Sequence, residues 1–166
     1  MASPVKPIPE GIRTITPHLS VKGAARMIEF YKRALGAIEK SRFAMPDGSV
    51  GHAELRIGDS SFYLSDESPQ STAHSPGGIG GASVVLHLFV ENADALFERA
   101  VKAGATVKVP IMDAFWGDRY GQFADPAGHV WAVATHKEDV RPEDMATRME
   151  EMNQRMKEWM ATTGKS

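Results

Sequence analysis

Two histidines, His18 and His87, and the segment His52-Ala53-Glu54-Leu55-Arg56 hold the side chains best suited to chemistry in this sequence. Two imidazoles and a carboxylate can ligate Fe, Mn, Zn or Ni and leave positions open for a bidentate substrate. The same residues can instead line a polar pocket as neutral hydrogen-bonding groups, and histidine can also act as an acid or base near neutrality. Glu54 and Arg56 are two residues apart, so on a strand they share one side. There they either hold a charged ligand or form a solvated face or a structural ion pair. A second group is Phe115-Trp116-Gly117-Asp118-Arg119-Tyr120, with Phe89 and Tyr63 elsewhere in the chain. Rings beside a cavity give stacking area at low entropy cost, although core packing explains any one of them equally well. Asp118 and Arg119 offer paired charge, either to a ligand or to shape the rim of a site.

These residues need a scaffold, and the chain's length bounds it. At 166 residues the protein can bury one good core, which points to one domain. A net charge of -2 argues against a nucleic-acid surface, because phosphate binding needs a concentrated basic face. The absence of cysteine removes disulfides, thiolate metal sites and cysteine nucleophiles. No apolar run is long enough to span a membrane, and Pro4, Pro7 and Pro9 stand where a signal peptide needs an apolar core. A cytoplasmic location is expected.

Alternation predicts a strand over Ile15 to Val21, with Ile15, Leu19 and Val21 opposed to Thr16, His18 and Ser20. A helix over Ala24 to Leu35 stops at Gly36, and strands follow over Ile38 to Ala44, Val50 to Ile57 and around Phe62 to Leu64. Glu67 to Ala82, rich in Ser, Pro and Gly, reads as a linker or mobile loop. Its Gly77 to Gly81 run lacks the Lys-Ser/Thr of a phosphate loop. The pattern then restarts: a strand over Ser83 to Val90, Asn92 as helix cap, a helix over Ala93 to Ala103, and strands over Thr106 to Ile111, Gln122 to Ala124 and His129 to Thr135. Asp125-Pro126-Ala127-Gly128 marks a tight turn.

The restart is also visible in the residues. His18-Leu19-Ser20-Val21 matches His87-Leu88-Phe89-Val90, and Phe30-Tyr31-Lys32-Arg33-Ala34 recurs as Phe97-Glu98-Arg99-Ala100, each helix closing on Gly-Ala. Their shared order points to an internal duplication of a βαβββ module, about 12–67 and 83–136. Two such modules curl their strands into a cup with the helices outside. Pro142 to Met160 forms a final amphipathic helix, with Met145, Met149, Met152, Met156 and Trp159 as a narrow apolar seam, before a tail at 161–166. That seam suits a strap on its own domain or on a dimer partner, or a target or membrane-surface helix.

The βαβββ repeat, the Phe30-Tyr31 helix ending at Gly36, the Asp125-Pro126-Ala127-Gly128-His129 turn and the Trp116 to Gly121 loop together resemble the vicinal oxygen chelate superfamily. Within it they look like the glyoxalase/bleomycin-resistance-like proteins of the PhnB-related branch. The resemblance implies an α+β fold of two βαβββ modules with a C-terminal helix. It also places Thr16, Tyr63, Val85 and Ala132 at the metal-ligand positions, where none is a good ligand for a divalent metal. A metal at the standard positions is therefore not expected, and a displaced one would need His18, Glu54 and His87. The leading expectation is a homodimeric binder of a drug or metabolite, its cup lined by His18, His52, Glu54, Arg56, Tyr63, His87 and Phe89 and rimmed by Phe115, Trp116, Asp118 and Arg119. The alternative is a metal-dependent lyase, isomerase or dioxygenase using the displaced set.

Overall fold

The structure, a computed structural model, describes residues 6–163. Its first half runs β1 (His18–Val21), α1 (Ala24–Leu35), β2 (Ile38–Ala44), β3 (Val50–Ile57) and β4 (Ser60–Asp66). After a short helix α2 (Pro76–Ile79), the second half runs β5 (Val85–Phe89), α3 (Ala93–Lys102), β6 (Thr106–Asp113), β7 (Asp118–Ala124) and β8 (Val130–His136). Helix α4 (Pro142–Thr163) follows. Each half makes a four-stranded mixed sheet of the same order, β1-β4-β3-β2 and β5-β8-β7-β6. In both, the first strand lies parallel to the last and the remaining pairs are antiparallel.

Alternation along the strands separates a helix-covered face from an open one. In the first sheet Leu19, Val21, Ala53, Leu55, Phe62 and Leu64 are buried together with Met27, Ile28, Tyr31 and Leu35 of α1. The intervening side chains face the other way. The two halves then share one core. Helices α1 and α3 pack on each other, and the rings of Tyr31, Phe62 and Trp131 meet at centroid distances of 5.5 to 5.8 Å.

A buried carboxylate fastens this joint. Asp125 Oδ2 accepts from Tyr31 Oη at 2.6 Å and from Trp131 Nε1 at 2.9 Å, while Oδ1 accepts from the amides of Ala127 and His129. Four donors offset the cost of taking the charge out of water. Burial, and then the Asp125 charge, push the Tyr31 hydroxyl well above its ordinary range, so it remains a donor.

The duplication recurs in how each helix is started. Asp66, at the end of β4, accepts from the amides of Gly23 and Ala24 at 2.8 Å and from Val50 at 2.8 Å. Thr135, in the same place on β8, accepts from Ala93 at 2.8 Å and donates to the Val90 carbonyl. Asn92 caps α3 as expected, accepting from the Ala95 amide.

Three local expectations change. The first strand starts at His18, not Ile15: Thr16 turns back to donate to the Arg13 carbonyl, Pro17 has no amide to give a ladder, and Ile15 is 85% exposed. Asp118, Arg119 and Tyr120, read as loop, open β7 and pair with His136, Thr135 and Ala134. The Ser/Pro/Gly segment is partly docked instead of loose. Ser75 is buried and donates through Oγ to the Ala127 carbonyl, which the Gly77 amide also reaches. Gly128 permits this approach, since a Cβ there would lie 2.9 Å from Gly77 N and its φ is +94°.

Helix α4 buries none of the residues whose exposure is described, and Met149 is 44% exposed. Arg148 ties the helix to Glu138 at 2.8 Å. The side chains of Met156 and Trp159, which complete the methionine seam, lie outside the described residues, as do residues 164–166 of the expected tail. Among the described residues no helix is long and apolar enough to cross a membrane.

Candidate functional site

The open face of the first sheet is a grid of polar side chains set by strand register. Ser20, Ser65 and His52 form one row, His18, Tyr63 and Glu54 the next, and Ser61 and Arg56 a third. The rings of His18, His52 and Tyr63 form a triangle with centroids 4.8 to 6.0 Å apart. His18 Nε2 is 3.1 Å from Ser65 Oγ, and Glu54 Oε1 accepts from Ser61 Oγ at 3.2 Å. Burial, then the neighbouring His52, lower the His18 pKa below its ordinary value, so at neutral pH it is an uncharged hydrogen-bonding group. Among the described residues, two buried side-chain polar atoms have no partner, Ser20 Oγ and Arg56 Nε, and both belong to this face.

The open face of the second sheet carries rings. Phe89 stacks on His87 at 4.7 Å and 18°, His87 meets Tyr120 at 5.8 Å, Tyr120 meets Trp116 at 5.1 Å, and Trp116 meets Phe115 at 5.1 Å. Phe89, at one end of this run, is 66% exposed. The other end is held by a carboxylate: buried Asp118 accepts from Trp116 Nε1 at 2.8 Å and lies 2.8 Å from His136 Nδ1. His136 Nε2 in turn is 2.9 Å from Asp139. An imidazole between two carboxylates needs a proton on both nitrogens, and Asp118 first and Asp139 second raise its pKa. Gly117 lets the following segment close over this end, because a Cβ there would lie 2.1 Å from the Glu138 carbonyl oxygen.

A cleft of about 320 Å³ lies between the two halves, its walls including Ser61 and His87 from the open faces and Phe62, Leu88 and Trp131 from the helix-covered sides. A separate cavity of about 490 Å³ lies between α4 and the Phe115 end, with Lys137, Arg148 and Met152 among its walls.

The residues named from sequence thus fall into three groups. His18, His52, Glu54, Arg56 and Tyr63 share the polar face. His87, Phe89, Phe115, Trp116 and Asp118 share the aromatic face. Arg119 joins neither: it alternates to the helix side of β7, where it is paired with Asp94 at 2.8 Å and with Asp113 at 3.4 Å. The displaced metal set is not assembled. Among the described residues no three His, Asp or Glu side chains are grouped to hold a metal ion, since β4 with Tyr63 stands between His18 and Glu54, and His87 is on the other sheet. Sequence reading missed His136, whose position at the end of β8, in register with Asp118, was the available signal. It also missed Gln122, which donates to the Tyr120 hydroxyl from the same face.

This fold, with a cleft at the junction of two duplicated sheets, agrees with the comparison of the sequence with known families. Residues 11–133 match the Glyoxalase/Bleomycin resistance protein/Dioxygenase superfamily, and the chain belongs to it. An uncharacterised protein of Mycobacterium tuberculosis strain H37Rv is 41% identical over 138 residues, covering 81% of each chain. A solved gene product from Arabidopsis thaliana superposes with a TM-score of 0.60 at 29% identity, covering 74% of this chain and 98% of its own. The PhnB protein from Bacillus cereus has the same fold, with a TM-score of 0.59 at 18% identity over 74% of this chain and 99% of its own.

Proposed function

We propose that the protein is a small-molecule-binding member of its superfamily, of the PhnB-related branch, that sequesters a drug or metabolite across the two open faces. The observation that carries this reading is the run of five rings from Phe89 to Phe115, none of them buried in the core, which reaches the cleft wall at His87. Stacking on such a run needs no catalytic group. A ligand with one flat part and one polar part would lay the first on His87 and Phe89 and turn the second toward Ser61 and the grid of the first sheet.

A second copy of the chain completes the proposed unit. Phe43, Val84 and Val85 are 63%, 64% and 48% exposed, apolar area that a homodimer would cover. Sedimentation should then give twice the chain mass.

A thermal-shift screen across antibiotics, α-ketoacids, glutathione adducts and phosphonates tests the binding reading. A hit should raise the melting temperature of the parent chain, and Phe89→Ala should remove most of that rise. A ligand whose shift survives both Phe89→Ala and His87→Ala binds elsewhere and defeats the proposal.

A further inference from the structure

We infer that the ligand carries an anionic group, a carboxylate or a phosphoryl group, seated against the Arg56 guanidinium. The inference rests on reading the open faces as the ligand site, and it narrows what that site takes.

Arg56 stands on β3, an inner strand, facing Ser61 of β4 in register. It is half-buried, its Nε is closed off from solvent, and its side chain makes no hydrogen bond or ion pair among the described residues. Among the other arginines, Arg13, Arg42, Arg119, Arg141 and Arg148 each reach a carboxylate, and those that reach none among the described residues, Arg26, Arg33, Arg99 and Arg155, are exposed to water. Glu54 is the acid next to Arg56 on the same side of the strand, yet its Oε1 takes the Ser61 hydroxyl, and the two charges form no ion pair.

A guanidinium shut partly away from water with no acceptor is costly to keep. Its fork of donors matches two oxygens of a carboxylate or phosphoryl group. The position also suits a ligand that spans both faces. Ser61, its cross-strand neighbour, lies in the cleft wall with Val85 and His87, and His87 is the ring of the aromatic run that reaches that wall. Arg13, the arginine that lines the cleft itself, is already held by Asp59 at 2.9 Å.

Three probes with one ring system separate charge from stacking: 1-naphthoate, 1-naphthyl phosphate and 1-naphthamide, each titrated calorimetrically into the parent chain, Arg56→Met, Arg56→Lys and Phe89→Ala. At least one anionic probe should bind about tenfold or more tightly than the neutral amide, in line with a charge-assisted pair of hydrogen bonds. The tighter anion identifies the carboxylate or phosphoryl class. Arg56→Met should erase that margin, weakening the anion far more than the amide, while Arg56→Lys, which keeps the charge and loses the fork, should keep part of it. Should Arg56→Met fail to fold by circular dichroism, the lysine variant and competition by sulfate in the parent chain decide. Equal binding of all three probes, weakened by Phe89→Ala, overturns the anion inference and leaves the site standing. No binding by any probe overturns both.

Discussion

The two halves of this chain have the same strand order and carry their histidines at equivalent positions, yet their open faces differ. His18 lies in register with Tyr63 and sits among His52, Ser65 and Glu54, whereas His87 lies in register with Ala132 and sits between Phe89 and Tyr120. The divergence is local: alanine at 132 and 134 leaves room above β8 for the rings of β5 and β7, where Tyr63 and Ser65 fill the equivalent space on β4. The helix-starting residues diverge in the same way, as Asp66 spends a charge on three amides where Thr135 uses a hydroxyl for one. A duplicated scaffold has therefore kept its packing and separated its two surfaces into a hydrogen-bonding half and a stacking half.

Removing the shared joint tests most severely whether the halves are one unit. Asp125→Ala strands the buried Tyr31 hydroxyl, the Trp131 indole and two amides, and should cost roughly 3 to 5 kcal/mol. Urea unfolding followed by hydrogen exchange should show both sheets losing protection together. Loss confined to the second sheet would mean the halves are separate units.

The helix starts provide a smaller contrast. Asp66→Ala should destabilise by about 2 to 3 kcal/mol and Thr135→Val by about 1 to 2 kcal/mol, read from denaturant midpoints, because the first loses a charged acceptor for three amides. Equal costs would show that the two halves rely on these residues alike. Within the stacking half, Phe89→Ala should leave folding within about 0.5 kcal/mol of the parent, since the ring is mostly exposed. Its effect on a bound ring should be about 0.5 to 1.5 kcal/mol, measured by calorimetry.

Acidity should act on the two faces in opposite directions. His18 has a lowered folded pKa, so its contribution to stability is present above the ordinary histidine value and is lost as pH falls through the ordinary value toward the folded one. His136 has a raised one, so its contribution is complete below the ordinary value and is lost as pH rises through the folded value. Imidazole proton resonances followed by NMR should titrate in that order, His18 below and His136 above the free value. Alkalinisation should also change Trp116 fluorescence through Asp118, a change absent in His136→Asn; its persistence there would unlink the histidine from the ring run.

Much of the scaffold was legible in the residues. Period-two alternation marked β3 to the residue, the strand expected over Ile38 to Ala44 is β2, Gly36 and Asn92 marked a helix end and start, and the His-Leu-x-Val repeat marked equivalent strands. These signals are local, because a strand's two faces and a helix's caps are decided by neighbours in sequence. The first strand was misjudged where Pro17 overrides alternation, and the docked Ser75 was missed because composition does not reveal a distant carbonyl.

Site membership was legible only as a set of sides. Alternation correctly turned His18, His52, Glu54, Arg56 and Tyr63 one way, but could not tell that Tyr63 separates His18 from Glu54, that Arg119 turns to Asp94, or that Asp125 joins Tyr31 to Trp131. Sequence determined which residues share a face, since side-chain direction follows from backbone period. Tertiary structure decided which of them meet, and left Arg56 without an acceptor among the described residues, because cross-strand register and the packing of one half on the other bring together residues far apart in the chain.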